Sequence, residues 1–126
     1  MKRILIIDDD EEFCLELRDF LEHRGYQVVY ATRGSDAVDL DRNFGANAAF
    51  IDLNLPDSDG IQIAWQLTMA RDDLIIFAIS ADNRRLIEGL KGRSCIAGFL
   101  SKPLRPVELA RVLGAPAVQV LPPPRK

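Results

Sequence analysis

Three aspartates, Asp8, Asp9 and Asp10, stand directly behind the apolar run Ile4-Leu5-Ile6-Ile7. Asp52 lies at the end of a second run, Ala48 to Leu53. Ser80 follows a third, Leu74 to Ile79, and Lys102 comes just after a fourth, Gly98 to Leu100. Brought together, Asp8, Asp9, Asp52 and Lys102 would carry three negative charges against one positive. Two carboxylates ~4 Å apart repel by about 4 kcal/mol at an effective dielectric of ~20. A divalent cation would cancel the excess, and an all-oxygen donor set suits Mg²⁺, which keeps several of its waters. Soft ligands are absent from the set, which disfavours zinc or copper. With a lysine as point charge and a serine as hydroxyl donor, the chemistry indicated is phosphoryl transfer to a carboxylate nucleophile.

That chemistry requires the four apolar runs to end at one edge, so the elements between them matter. Each run is short and continuously apolar, as expected of strands buried on both faces. Gln27 to Ala31, β-branched and aromatic, adds another strand. Amphipathic stretches alternate with the runs. Asp10 can cap a helix on which Phe13, Leu17, Phe20 and Leu21 share a face, stopped by Gly25. Ser35 is placed to cap a second helix, carrying Ala37, Val38 and Leu40. Pro56 and Gly60 break the chain before a third helix, which runs through Ile61, Ala64, Trp65 and Leu67 to about Ala70. A fourth is expected over Asn83 to Leu90, interrupted by Gly89 and Gly92. The last, Val107 to Leu113, has Pro106 in its first turn and ends at Gly114. Strand then helix, five times over, predicts an α/β fold with a parallel sheet and helices on both faces. In such sheets the functional site lies beyond the carboxyl ends of the strands. Those are the positions that Asp8, Asp9, Asp52, Ser80 and Lys102 occupy.

A chain of 126 residues, 48% hydrophobic and 28% charged, fits one ordinary globular domain that needs no disulfide or metal to hold a core. The formal charge of −3 argues against direct nucleic-acid binding. No apolar run approaches the ~20 residues that span a membrane, and Ile4 to Ile7 is too short for a signal-peptide core. A cytoplasmic location is expected. Cys14 and Cys95 lie far apart, outside any metal-ligand spacing, and are expected to be packing residues. Ala115 to Lys126 contains four prolines and is expected to be a tail or the start of a linker, leaving 1–114 as the domain.

The motifs Ile4-Leu5-Ile6-Ile7-Asp8-Asp9, Phe50-Ile51-Asp52-Leu53-Asn54-Leu55-Pro56, Asp59-Gly60, Ile79-Ser80-Ala81 and Lys102-Pro103, in this order and spacing, resemble the receiver domain of two-component response regulators. The resemblance covers about Lys2 to Leu113. It implies a doubly wound, flavodoxin-like five-stranded sheet of order 2-1-3-4-5 with five helices. It implies that Asp52 accepts a phosphoryl group from a sensor histidine kinase or phosphotransfer protein. Asp8, Asp9, Asp52 and the backbone carbonyl of Asn54 would hold Mg²⁺. Lys102 and Ser80 would bind the phosphoryl group, and Phe99 would be the switch aromatic. Lys102-Pro103 matches a peptide bond that is usually cis in the family. Asn54 and Asp82, each two residues beyond a site residue, would tune dephosphorylation. Output would pass through the surface from the fourth helix to the last, around Arg84 to Leu113, to a downstream effector domain or protein, or through a phosphorylation-dependent homodimer. Cys95, Gly89 and Gly92 depart from the family pattern and suggest a short, shifted or irregular fourth helix.

Blander roles compete for some of these residues. Acids at a helix start favour its dipole, and Asp10, Glu11 and Glu12 fit that role. Trp65 fits core packing, and His23 an exposed position without a part in catalysis. Two other functions fit the same residues. One is a Mg²⁺ phosphatase with an aspartyl nucleophile, but Asn54 stands where such an enzyme needs a general acid. The other is a scaffold without phosphorylation, which the intact acids and Lys102 argue against. The chain is therefore expected to be a phosphoacceptor module and not an enzyme.

Overall fold

The computed structural model describes residues 3–81 and 96–114. The expected helix over Asn83 to Leu90, Asp82, Cys95 and the proline-rich end lie outside the described residues.

Five strands form one sheet: β1 (Arg3–Ile7), β2 (Gln27–Ala31), β3 (Ala48–Asp52), β4 (Ile75–Ser80) and β5 (Ile96–Ser101). Their order is β2-β1-β3-β4-β5, and each of the four pairings is parallel. Four helices are described: α1 (Glu11–Glu22), α2 (Ala37–Phe44), α3 (Gly60–Ala70) and α4 (Pro106–Leu113). The doubly wound parallel sheet expected from the alternation of runs is the one observed.

Strand residues alternate between two cores, following the two-residue period of the pleat. Leu5, Ile7, Ala49, Ile51, Ile76 and Ala78 meet Ala37 of α2 and Ile63, Ala64 and Leu67 of α3. Ile4, Ile6, Ala48, Phe50, Phe77 and Ile79 meet Cys14, Leu17 and Leu21 of α1 and Leu109, Val112 and Leu113 of α4. On this second face the Phe50 and Phe77 rings stack with centroids 5.2 Å apart. Because both faces are covered, β1 and β3 read as continuous apolar runs rather than alternating ones.

Local signals explain most boundaries. Asp10 caps α1, its Oδ1 accepting from the Phe13 N–H at 3.2 Å. Gly25 beyond that helix, at φ +95°, and Gly45 at the end of α2, at φ +71°, adopt the left-handed conformation that favours glycine. Asp59 caps α3 through the Ile61 N–H at 3.0 Å.

Three expectations change. Ser35 does not cap α2. Gly34–Asp36 form a 3₁₀ turn, the helix starts at Ala37, and the Ser35 N–H donates to Asp57 Oδ2 at 3.2 Å. The acceptor comes from a loop far along the chain, which no local pattern reports. Trp65 is 40% exposed rather than in the core. A helical step of about 100° carries it past Ala64, the edge of the buried face. β5 begins at Ile96, two residues before Gly98, across a register irregularity opposite Ile76/Phe77 that a short run containing glycine conceals.

Candidate functional site

The carboxyl ends of β1, β3, β4 and β5 deliver the predicted residues to one edge. Asp8 follows β1 with its backbone N–H bound to the Ala31 carbonyl at 3.1 Å, extending the β1–β2 ladder by one rung. Asp52 is the last residue of β3, paired with Ile79 of β4. The Lys102 N–H donates to the Ser80 carbonyl at 3.1 Å, which ties the end of β5 to the end of β4. The Lys102-Pro103 peptide bond is cis, as expected.

Gly60 sets how closely α3 approaches this edge. A β-carbon there would lie 2.5 Å from the Asp52 carbonyl oxygen and from Leu53 Cα. No other residue type fits without moving the end of β3.

Carboxylate oxygens of Asp8, Asp9 and Asp52 lie within 4.8 Å of one another. Asp8 and Asp52 are buried, whereas Asp9 is exposed. Lys102 Nζ stands between the two buried acids, 3.0 Å from Asp8 Oδ2 and 3.2 Å from Asp52 Oδ2. The remaining Asp8 oxygen, Oδ1, accepts from the Asp10 N–H at 2.9 Å. The remaining Asp52 oxygen, Oδ1, accepts from the Asn54 N–H, also at 2.9 Å. Ser80 is buried, and its hydroxyl donates to the side-chain carbonyl of Asn54 at 2.7 Å.

Burial pushes the Asp8 carboxyl above the usual carboxylate range, against the pull of the Asp10 N–H and of Lys102. For Lys102 burial acts downward. The close contact and charge of Asp8, with those of Asp52, more than offset it and hold the ammonium above the usual lysine range. Asp8 Oδ2 is the revealing atom. It is buried and ion-paired, yet its contact with Lys102 lacks hydrogen-bond geometry. A buried carboxylate oxygen short of a hydrogen bond, beside two further carboxylates, fits a hard divalent cation.

The structure thus brings together Asp8, Asp9, Asp52, Asn54, Ser80 and Lys102. Phe99 is half-buried on β5, three residues before Lys102, and packs against the core face that α2 and α3 cover. Cys14 is buried and its thiol donates to the Asp8 carbonyl at 3.3 Å. His23 is exposed, its Nδ1 2.7 Å from the Asp19 carbonyl, as its position on the polar side of α1 predicts. Two neighbours of the site went unnoticed in the sequence. Asp57 accepts from the Gly34 and Ser35 N–H groups, and the Phe13 ring lies 5.2 Å from Lys102 Nζ. Asp57 belongs to no acidic run, and Phe13 falls in the apolar period of α1, so neither carried a signal of its own.

The family model for the response regulator receiver domain matches residues 4–113. Among curated relatives, the response regulator MprA of Mycobacterium sp. (strain KMS) is 38% identical over 79 residues, which is 63% of this chain and 34% of that protein. The chain spans between about a third and a half of the length of the curated relatives it matches. Among solved structures, a CheY-like receiver domain protein from Methanospirillum hungatei JF-1 superposes with a TM-score of 0.81 at 24% identity, over 90% of each chain. A response regulator from Burkholderia pseudomallei, solved with a phosphorylated aspartic acid, calcium ion and citrate, superposes with a TM-score of 0.79 at 26% identity. It covers 94% of this chain and 67% of that one.

Proposed function

The chain belongs to the response regulator receiver domain family, and from that premise we propose that Asp52 is its phosphoacceptor, in a domain spanning 1–114. The observation that carries this reading is the Asp52 carboxylate itself: buried at a strand end, one oxygen held by Lys102 and the other by the Asn54 N–H. Those contacts aim the group for attack on phosphorus. An Asp52 oxygen forms the new P–O bond while the P–N bond of a kinase or phosphotransfer-protein phosphohistidine breaks. The leaving imidazole keeps the bonding pair and takes up a proton. Asp8, Asp9, Asp52 and the Asn54 carbonyl are the groups to hold Mg²⁺, which supplies charge neutralisation for the incoming phosphoryl oxygens.

Reaction replaces one carboxylate charge with about two negative charges on phosphoryl oxygens. Lys102 neutralises part of this, and the Ser80 hydroxyl supplies a further, neutral donor. To reach the phosphoryl group it leaves its bond to Asn54. The inward turn of Ser80 opens space for Phe99, and the surface from residue 84 to 113 changes with it. Asn54 and Asp82, two positions beyond Asp52 and Ser80 in the sequence, set the lifetime of the aspartyl phosphate. Asn54 has no carboxyl proton to give a leaving group, so turnover on an outside substrate is not part of this reading. No helix among the described residues is long and apolar enough to cross a membrane, and a cytoplasmic location for this chain is part of the same reading. A tail or linker role for the proline-rich residues 115–126 belongs to the same reading.

The test is an intact mass after incubation with acetyl phosphate, with and without Mg²⁺. A gain of about 80 Da, one phosphoryl group, is expected only with Mg²⁺ and only where Asp52 is present. The same gain in Asp52→Asn overturns the assignment. Ser80→Ala is expected to keep the mass gain but to lose the change in NMR shifts around Phe99. A full wild-type response in that variant refutes the switch.

A further inference from the structure

We propose that Phe13 is a positioning residue for Lys102: its ring face holds the ammonium over Asp8 and Asp52 through a cation–π contact. The inference rests on the phosphoacceptor reading of Asp52 for its consequence, though not for its geometry.

A lysine ammonium carries three N–H donors and no acceptor. Here two sides of it meet carboxylates, Asp8 at 3.0 Å and Asp52 at 3.2 Å. The Phe13 ring stands on another side, its centroid 5.2 Å from Nζ, inside the ~6 Å reach of the interaction. The Lys102 side chain is 25% exposed, so the four-carbon stem has an open direction into which it could swing. The ring offers the ammonium a partner on the protein side.

The placement of the ring is built in. Phe13 sits in the first turn of α1, its N–H held by the Asp10 cap. Its side chain packs against the core face shared by Cys14, Leu17 and Leu104. Leu104, two residues after Lys102, is buried in the same cluster. Helix start and lysine loop are therefore anchored on one core, which fixes ring and ammonium relative to each other.

The type of contact suits the reaction. The hydrogen bond from Lys102 to Asp52 must rearrange when Asp52 becomes an acyl phosphate. Attraction to a ring quadrupole depends little on which N–H points where. Nζ can exchange a carboxylate oxygen for a phosphoryl oxygen without leaving the ring. A saturated ring at this position would fill nearly the same space and supply no such attraction.

The test separates electronics from packing. Phe13 is replaced in the full chain by 4-fluoro-, 3,5-difluoro- and 3,4,5-trifluorophenylalanine, which empty the ring face of negative potential at nearly constant size. Cyclohexylalanine serves as the apolar extreme. Two quantities are read: the exchange rate of the Lys102 ammonium protons with water by NMR, and the rate of Asp52 phosphorylation by acetyl phosphate with Mg²⁺. The melting temperature of each variant reports any loss of fold. Along the series, ammonium exchange is expected to accelerate and phosphorylation to slow, each by about fivefold overall, with the phosphorylation trend absent in a Lys102→Met background. A flat series in both quantities, or one that follows melting temperature instead of fluorination, overturns the inference. A graded NMR response along the series, together with a wild-type chain that acetyl phosphate does not modify, upholds the contact and rejects the phosphoacceptor reading instead.

Discussion

At the scale of single residues, burial decides which groups react. Cys14 is fully buried in α1, and its thiol lies against the Asp8 carbonyl. Burial first, then the negative charges of Asp8 and Asp10, push this thiol up to about 12. Only the thiolate is nucleophilic, so the folded chain holds Cys14 inert at neutral pH. In a Cys95→Ser background, a thiol reagent at pH 8 is expected to leave Cys14 unmodified in the native protein and to label it fully in guanidinium. Labelling of the native chain at the unfolded rate would contradict this packing. The sequence suggests a packing role for Cys14, and its short apolar neighbourhood suffices for that. It does not reveal that the thiol donates to the Asp8 carbonyl, a contact made across the helix cap.

At the scale of elements, the two loops beside the site are tied by one carboxylate. Asp57, in the loop from β3 to α3, accepts from the N–H groups of Gly34 at 3.0 Å and Ser35 at 3.2 Å, both in the turn before α2. Gly34 fits there because a β-carbon would come within 2.7 Å of Ser58. The Gly34 hydrogen bond, with that of Ser35, holds the Asp57 carboxyl below its usual range. A group with a depressed folded-state pKa stabilises the fold above its unfolded value, and that contribution fades as pH falls through the folded value. Asp57→Ala is therefore expected to melt below wild type at pH 7, with the two curves converging in acid beneath the ordinary carboxylate range. Melting temperatures across that pH series decide the matter. A gap that persists unchanged into acid would assign the loss to packing instead.

At the scale of the whole molecule, the site opposes the stability of the fold that presents it. Asp8 is buried with a carboxyl pushed above its usual range, chiefly by burial. For such a group the folded state binds the proton more tightly than the unfolded state. Stability is then lost as pH rises from the ordinary carboxylate range through the folded value, and regained on acidification. Lys102, with its pKa raised, works the other way. Its contribution is complete below the ordinary lysine value and is lost as pH climbs through the folded one. Without a divalent cation, Asp8→Asn is expected to raise the melting temperature at pH 7 by roughly 4 °C for each kcal/mol of relieved charge. Mg²⁺ is expected to raise the wild-type value and to leave the variant nearly unchanged. A variant that melts below wild type in the absence of metal would show that the Lys102 ion pair outweighs the desolvation of Asp8.

What the sequence determined by itself follows from periodicity and chemistry that neighbouring residues share. Continuous apolar runs at β1, β3 and β4, a cap at Asp10 and prolines at 56 and 106 are local properties, and they specify a parallel α/β sheet with acids at its strand ends. The tertiary structure alone decided how those ends meet. Lys102 reaches Asp52 across 50 positions of chain, Ser80 finds Asn54 across 26, and the Ser35 N–H finds Asp57 across 22. Trp65 turned outward and Ser35 lost its capping role for the same reason. A helix's buried edge and a donor's acceptor are set by what packs against them, and those partners arrive from distant segments only once the sheet has closed.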